Sequence, residues 1–265
     1  MTQVVKVLTV ADLHRNKRLY AELAAVVATH KPDVVALVGD FVDALNSTAE
    51  RLSTSEAVIL LGGLPCPDIV FVRGNHEDAD WWNFADAWAK SGRKPNALHG
   101  EVFLRGPLAM VGFPCAVGDE TAYLGTREPL PDPPDRWLSK LVRRYGPVAR
   151  TLWLMHEPPA GTPLTERHGP VSGNPAWNEA LARFSPLLTI SGHDHDTPIK
   201  AKRWYTRIGQ SACVNLGQTA DGPLHYGILE AEFPKATPCL PRRMRVSAFP
   251  WNHSLDVAPQ CSGHA

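Results

Sequence analysis

Residues 4–40 read VVKVLTVADLHRNKRLYAELAAVVATHKPDVVALVGD. Val4 to Val10 is a β-branched run with the length of a buried strand, and Val34 to Val38 is a second. Between them, Arg18 to His30 sets Leu19, Leu23, Val26 and Val27 on a 3.6-residue period, and Lys31-Pro32-Asp33 is a helix stop. This is a strand, helix, strand unit, and a crossover through a helix implies that the two strands lie parallel in one sheet. Each strand also runs directly into polar residues of one kind: Asp12 and His14 after the first, Gly39-Asp40 after the second.

The same grammar continues outward. Further strands are expected at Ile69 to Val72, Thr151 to Met155 and Leu187 to Ile190, with amphipathic helices over Glu50 to Leu61 and Asp80 to Ser91. After residue 100 the pattern changes. Glu101 to Leu104 and Leu108 to Phe113 flank an Arg-Gly-Pro turn and read as a hairpin, so antiparallel pairing joins the parallel unit. Pro133 to Tyr145 reads as a helix, Asn174-Pro175 caps another that ends near Phe184, and Ser211 to Leu216 and Tyr226 to Ala231 read as closing strands. From Pro234 the chain carries five prolines and no clear period, and is expected to be an ordered wrap anchored by Phe249 and Trp251, fraying at its end. The fold class expected is therefore α/β, with mixed parallel and antiparallel strands.

Five strand ends carry metal-ligand residue types: Asp12 and His14, Asp40, Gly74-Asn75-His76-Glu77, His156, and Gly192-His193-Asp194-His195. In α/β sheets, sites form beyond the carboxyl ends of parallel strands, so these distant clusters should converge on one edge. Carboxylate, imidazole and amide oxygen together suit divalent manganese, iron or zinc, and the absence of cysteine argues against a structural zinc site. There are more candidate ligands than one tetrahedral ion needs. Two ions sharing a carboxylate would sit roughly 3.5 to 4 Å apart, a geometry that clamps both oxygens of an in-line displacement.

These clusters, in order, follow the series DxH, GDxxD, GNH with an acidic residue, H and GHxH, carried here by Asp12, His14, Gly39, Asp40, Asp43, Gly74 to Glu77, His156, Gly192, His193 and His195. The chain thereby resembles the calcineurin-like metallophosphoesterase superfamily over residues 7 to 196, in the Gly-His-x-His form of its bacterial-type members. The resemblance implies a two-sheet sandwich flanked by helices, with two divalent metals. Asp12, His14, Asp40 and His195 would bind one ion and Asp40, Asn75, His156 and His193 the other, with Asp40 as the bridge. His76 would stand over the phosphate, stabilising its charge or protonating the leaving oxygen, and Asn75 and His76 would contact substrate. Residues 1–233 are then expected to form the catalytic domain and 234–265 a proline-rich C-terminal wrap or tail.

The activity implied is metal-dependent phosphoric ester hydrolysis, in which hydroxide held by the metals attacks phosphorus in line. Arg73 to Glu77 is similar to the protein serine/threonine phosphatase branch, but Ala44-Leu45 follow Asp43 where that branch has its phosphate-gripping arginine. A small phosphodiester or nucleotide is accordingly favoured as substrate over a phosphomonoester, which stays as the alternative. A metal-binding scaffold on the same fold is the reading from another class; such proteins usually lose His76 or several ligands, and none is lost here.

Composition narrows the partners. Lys and Arg number 27 and Asp and Glu 27, so the formal net charge is zero, with 44% hydrophobic residues. A disordered chain and a broadly basic nucleic-acid or membrane-surface binder are excluded, so neither a membrane nor a nucleic-acid polymer is expected as partner; the small phosphoester is what the resemblance implies. No apolar run approaches the roughly 20 residues of a membrane span, and the N-terminal stretch lacks leader features. Five scattered cysteines outside CxxC spacing are expected to be reduced thiols in a cytoplasmic protein. Trp81, Phe84 and Trp88 follow helical spacing and are assigned to core packing, which leaves Trp82 as a candidate substrate wall. Arg242, Arg243 and Arg245 are assigned to solvated surface.

Overall fold

The structure is a computed structural model that describes residues 2–41, 50–77, 87–93, 96–98, 100–113, 134–165, 173–234 and 240–257. Asp43, Trp81, Trp82 and Phe84 lie outside the described residues.

Strand β1 (Thr2–Val10), helix α1 (Lys17–His30) and strand β2 (Val34–Val38) form the expected unit. Helix α1 starts where the Asn16 side chain accepts the backbone N–H groups of Arg18 and Leu19, and it stops at Lys31, whose left-handed backbone precedes Pro32. Its inner face buries Leu19, Tyr20, Leu23 and Val27. Helix α2 (Thr54–Gly62) begins later than its apolar pattern suggested, because Ser53 and Glu56 form a reciprocal capping box that fixes the first turn. Next come β3 (Asp68–Val72), the two-residue β4 (Asn96–Ala97), and a hairpin of β5 (Val102–Arg105) and β6 (Leu108–Phe113). Helix α3 (Pro134–Tyr145) leads to β7 (Leu152–Met155), α4 (Pro175–Phe184), β8 (Leu188–Ser191) and the single-turn α5 (Thr197–Lys200). The last strands are β9 (Tyr205–Ile208), β10 (Ser211–Asn215), β11 (Tyr226–Pro234), β12 (Arg243–Phe249) and β13 (His253–Val257).

Two mixed sheets result, ordered β13-β12-β11-β1-β2-β3-β4 and β5-β6-β7-β8-β10-β9. Strands β1 to β4 are mutually parallel, as are β6, β7, β8 and β10; the antiparallel strands stand outside them. Inward residues of both sheets, among them Val7, Ala36, Val70, Met110, Leu154, Ile190 and Val214, make one apolar layer. The opposite faces are covered by helices: Leu8, Leu37 and Phe71 pack with α1 and α2, and Phe113, Trp153 and Met155 with α3 and α4. The architecture is a helix, sheet, sheet, helix sandwich. It supports the site because each parallel strand ends at the same edge.

Residues 243–257 depart from the expected aperiodic wrap. Strands β12 and β13 extend the first sheet from β11, pairing Leu229 with Val246 and Val246 with Leu255. Met244, Val246 and Ala248 point inward while Arg243 and Arg245 point outward, a period-2 pattern that the flanking prolines obscure. Arg243 lies within ion-pair distance of Glu232 and Asp256 on this solvated face, as expected of a surface arginine. Trp88, on a helical stretch over residues 87–90, is 2% exposed and stacks on Phe71, which bears out core packing for that position.

Candidate metal centre

The loops that leave β1, β2, β3, β7 and β8 meet at one edge. The Asp12 and His14 backbone N–H groups donate to the carbonyls of Gly39 (3.0 Å) and Asp40 (2.9 Å), which sews the first two loops together. These turns are tight enough that Asp12, His14, Asp40 and His193 all adopt positive φ (56°, 45°, 54° and 66°). Left-handed backbone costs a non-glycine residue on the order of 1 kcal/mol or more, and its concentration at one cluster marks a place where the fold sustains strain to aim side chains.

Asp12, His14, Asp40 and His195 each offer a donor atom within 4.8 Å of the others, and Asp40, His156 and His193 form a second such group. Asp40 belongs to both. Asn75 joins the second group through Oδ1, which lies 3.0 Å from His156 Nε2 and 3.1 Å from His193 Nδ1. All seven ligand candidates from the sequence are thus brought together. His76 stands at the mouth: its backbone N–H donates to Asp40 Oδ1 (2.9 Å), its Nε2 is 4.0 Å from Asp40 Oδ2, and its ring meets that of His14 edge-on. One third of its side chain is exposed, unlike the buried Asp12, Asp40 and His156.

The electrostatics fit cation binding. Burial opposes charge on Asp12 and Asp40, yet the neighbouring imidazoles outweigh it and hold both carboxyls below their ordinary range, so both are anionic. Burial pushes His14 and His193 down to about 4, leaving neutral rings with lone pairs to offer. His156 is driven up to about 10 despite its burial, chiefly by Asp40, and His195 is raised by Asp12. At both rings the adjacent carboxylates favour positive charge, which a divalent cation can also supply. The Val38 carbonyl, 3.0 Å from His156 Nδ1, can only accept, so it fixes the hydrogen there and turns Nε2 toward Asp40, at 3.3 Å from its Oδ2. His14 Nε2 and His195 Nε2 face each other at 3.4 Å, an approach that two ring nitrogens tolerate only with a hydrogen or cation between them.

Two further carboxylates hold the loops. Glu77, fully buried, accepts the backbone N–H groups of Asp40 (2.8 Å), Phe41 (2.6 Å) and Gly74, and so ties the β2 loop to the β3 loop. Burial and the Asp40 charge push it up to about 7. Asp194, which the sequence reading leaves without a role, accepts from the Thr197 N–H (2.9 Å) and hydroxyl (2.8 Å) and anchors the turn from Asp194 to Thr197 that carries His195. An acidic residue three positions before Thr-Pro was the available signal.

A two-sheet α/β sandwich whose strand ends gather two overlapping groups of metal-ligand residues defines the class: a metallohydrolase-type fold with a candidate dinuclear centre. The chain belongs to the calcineurin-like phosphoesterase family, whose model matches residues 5–197. Solved structures of similar fold include TT1561 of Thermus thermophilus (18% identity, 85% of this chain and 94% of that one, TM-score 0.62). A dimetal phosphatase from Danio rerio (15%, 96% and 98%, 0.59) and the calcineurin-like phosphoesterase YfkN from Bacillus subtilis (12%, 94% and 91%, 0.58) are also similar. At these identities the likeness is one of fold. A search of curated proteins returns no match. Among the described residues, no helix is long and apolar enough to cross a membrane.

Proposed function

We propose that the chain is a metal-dependent phosphoric ester hydrolase acting on a small phosphodiester or nucleotide. The observation that carries this reading is the sharing of Asp40 between the two ligand groups, each completed by residues from separate strand ends. In this reading Asp12, His14, Asp40 and His195 hold one divalent ion and Asp40, Asn75, His156 and His193 the other; manganese, iron and zinc all suit the donors. Two such ions supply Lewis-acid polarisation of phosphoryl oxygens and lower the pKa of water. The protein's own part is to fix that arrangement. Glu77 and Asp194 hold the loops, Val38 sets the His156 tautomer, and the strained turns aim the carboxylates.

In this reading His76 is the group that meets substrate. Its partly exposed ring beside Asp40 supports a role in donating to a phosphoryl oxygen or to the leaving oxygen. Asp12 and Asp40 cancel only part of the charge of two divalent ions, so the pocket attracts an anion although the chain as a whole is neutral. The test is a metal-reconstituted screen of phosphomonoesters, linear and cyclic phosphodiesters and pyrophosphate-linked nucleotides. Diester turnover above monoester turnover is expected. Two bound ions with no turnover of any of these would contradict the reading and favour a scaffold.

A further inference from the structure

A concave surface lies on the same edge of the sandwich, to the side of the metal centre. It is a groove of about 620 Å³ between β9 and the β12–β13 turn, within the ~300–1,000 Å³ range of small-molecule sites. Its floor is Trp204, buried, with Trp251 stacked nearly parallel at 14°. On its rim Tyr205, 37% exposed, lies parallel to the exposed His253 ring. Lys202, Arg203 and Arg207 supply cations, and none of the described residues that line it is a carboxylate.

The sheet register fixes where this groove sits. Tyr205 pairs with Val214, which pairs with Ile190 near the end of β8, three residues before His193. Strand β9 is two strand spacings from β8, about 10 Å. In the other sheet, Phe249 before the β12–β13 turn pairs with Tyr226, and Gly227 pairs with Thr9, next to the loop that carries Asp12. Both walls of the groove therefore end level with the metal centre. The one-turn helix α5 carries the chain directly from His195 to Lys202.

Flat rings alone would accept any aromatic group, and cations alone any anion. Their combination in one groove, at the sheet edge that carries a centre suited to phosphoesters, matches a ligand that joins a planar base to a phosphate. We propose that this groove receives the base of a nucleobase-bearing phosphodiester whose phosphate lies at the metal centre; this rests on the hydrolase reading above. Tyr205 and His253 provide the stacking surface, while Lys202, at the metal-side end of β9, draws the anion.

The test compares thymidine 5′-(p-nitrophenyl phosphate) with methyl p-nitrophenyl phosphate, which shares the leaving group and lacks the base, in the metal-loaded wild type, Tyr205→Ala and Lys202→Gln. Loss of one stacking ring should raise KM for the thymidine diester about tenfold. In Tyr205→Ala, kcat, metal content and all parameters for the methyl diester should be unchanged, and Lys202→Gln should raise KM for the thymidine diester and weaken its salt dependence. Equal effects of Tyr205→Ala on both substrates, or none on either, would overturn the proposal. If the wild type cleaves neither diester, the hydrolase reading fails separately, and calorimetric binding of thymidine 5′-monophosphate decides the groove. A Kd about tenfold weaker in Tyr205→Ala supports it; equal Kd values or no binding refute it.

Discussion

Gly74 offers a one-methyl test of how the centre is held. A Cβ at this position would lie 2.0 Å from Asp40 Oδ1 and 2.6 Å from the Asp40 backbone nitrogen. Moving from 2.0 Å to an ordinary contact of 3.4 Å demands a displacement of about 1.4 Å. The Asp40 backbone cannot easily supply it, because its N–H is bound to the buried Glu77 carboxylate at 2.8 Å. The carboxylate must swing, losing the His76 N–H at 2.9 Å, and the 2.6 Å approach to the backbone nitrogen strains the Glu77 tie as well. Metal ligands tolerate errors of about 0.2 Å, and a displacement near 1 Å at a reacting centre costs about 100-fold in rate. Gly74→Ala is therefore expected to lower metal content at both positions, reduce kcat/KM for a chromogenic phosphodiester by at least about 100-fold, and destabilise the fold by about 1–3 kcal/mol through overpacking. Metal analysis, steady-state kinetics and thermal melts measure the three effects. Gly63→Ala is the control, since its Cβ would meet nothing closer than 3.4 Å. A Gly74→Ala protein that retains two ions per chain and wild-type turnover would refute the reasoning.

Other substitutions separate the roles of neighbouring residues. His76→Ala should cut turnover by about 100-fold to 10,000-fold while metal content stays near that of the wild type; loss of both ions in that variant would make His76 a ligand. Asp40→Asn should weaken binding at both positions, as read by metal titration, whereas Asp12→Asn should affect chiefly the ion shared with His14 and His195. Trp88→Ala should destabilise the fold by about 3–5 kcal/mol in chemical denaturation, because the ring is 2% exposed and stacked on Phe71. A loss below about 1 kcal/mol there would mean that the site collapses around the missing ring.

The parallel unit was legible because its signals are local. Val34 to Val38 is uniformly apolar and is observed as a strand over those five residues, and the helix between it and β1 carries its own cap and stop. The ligand cluster was legible for a topological reason: residues that follow parallel strands must share an edge, so the strand ends predicted the convergence of Asp12, Asp40, His156 and His193. Less visible were features set by partners distant in sequence. Strand β9 alternates between exposed and half-buried residues at a sheet edge, and β12 and β13 sit among prolines and gain their order by pairing with β11. The grip of Glu77 on Gly74, Asp40 and Phe41 spans up to 37 residues of chain, and no local spacing announces it. Positive φ at Asp12, His14, Asp40 and His193 likewise follows from two loops pressed together, although Asp and His are among the residues that tolerate it.

The central claim is that two ions held around Asp40 make this chain a phosphoester hydrolase. Its most direct measurement is the turnover of a chromogenic phosphodiester by the chelator-stripped protein titrated with manganese, iron or zinc, with bound metal counted in the same samples. No turnover is expected in the stripped protein, with activity that rises to a plateau at two ions per chain. Activity that survives chelation, or a chain that binds two ions and hydrolyses no phosphoester, would contradict that claim.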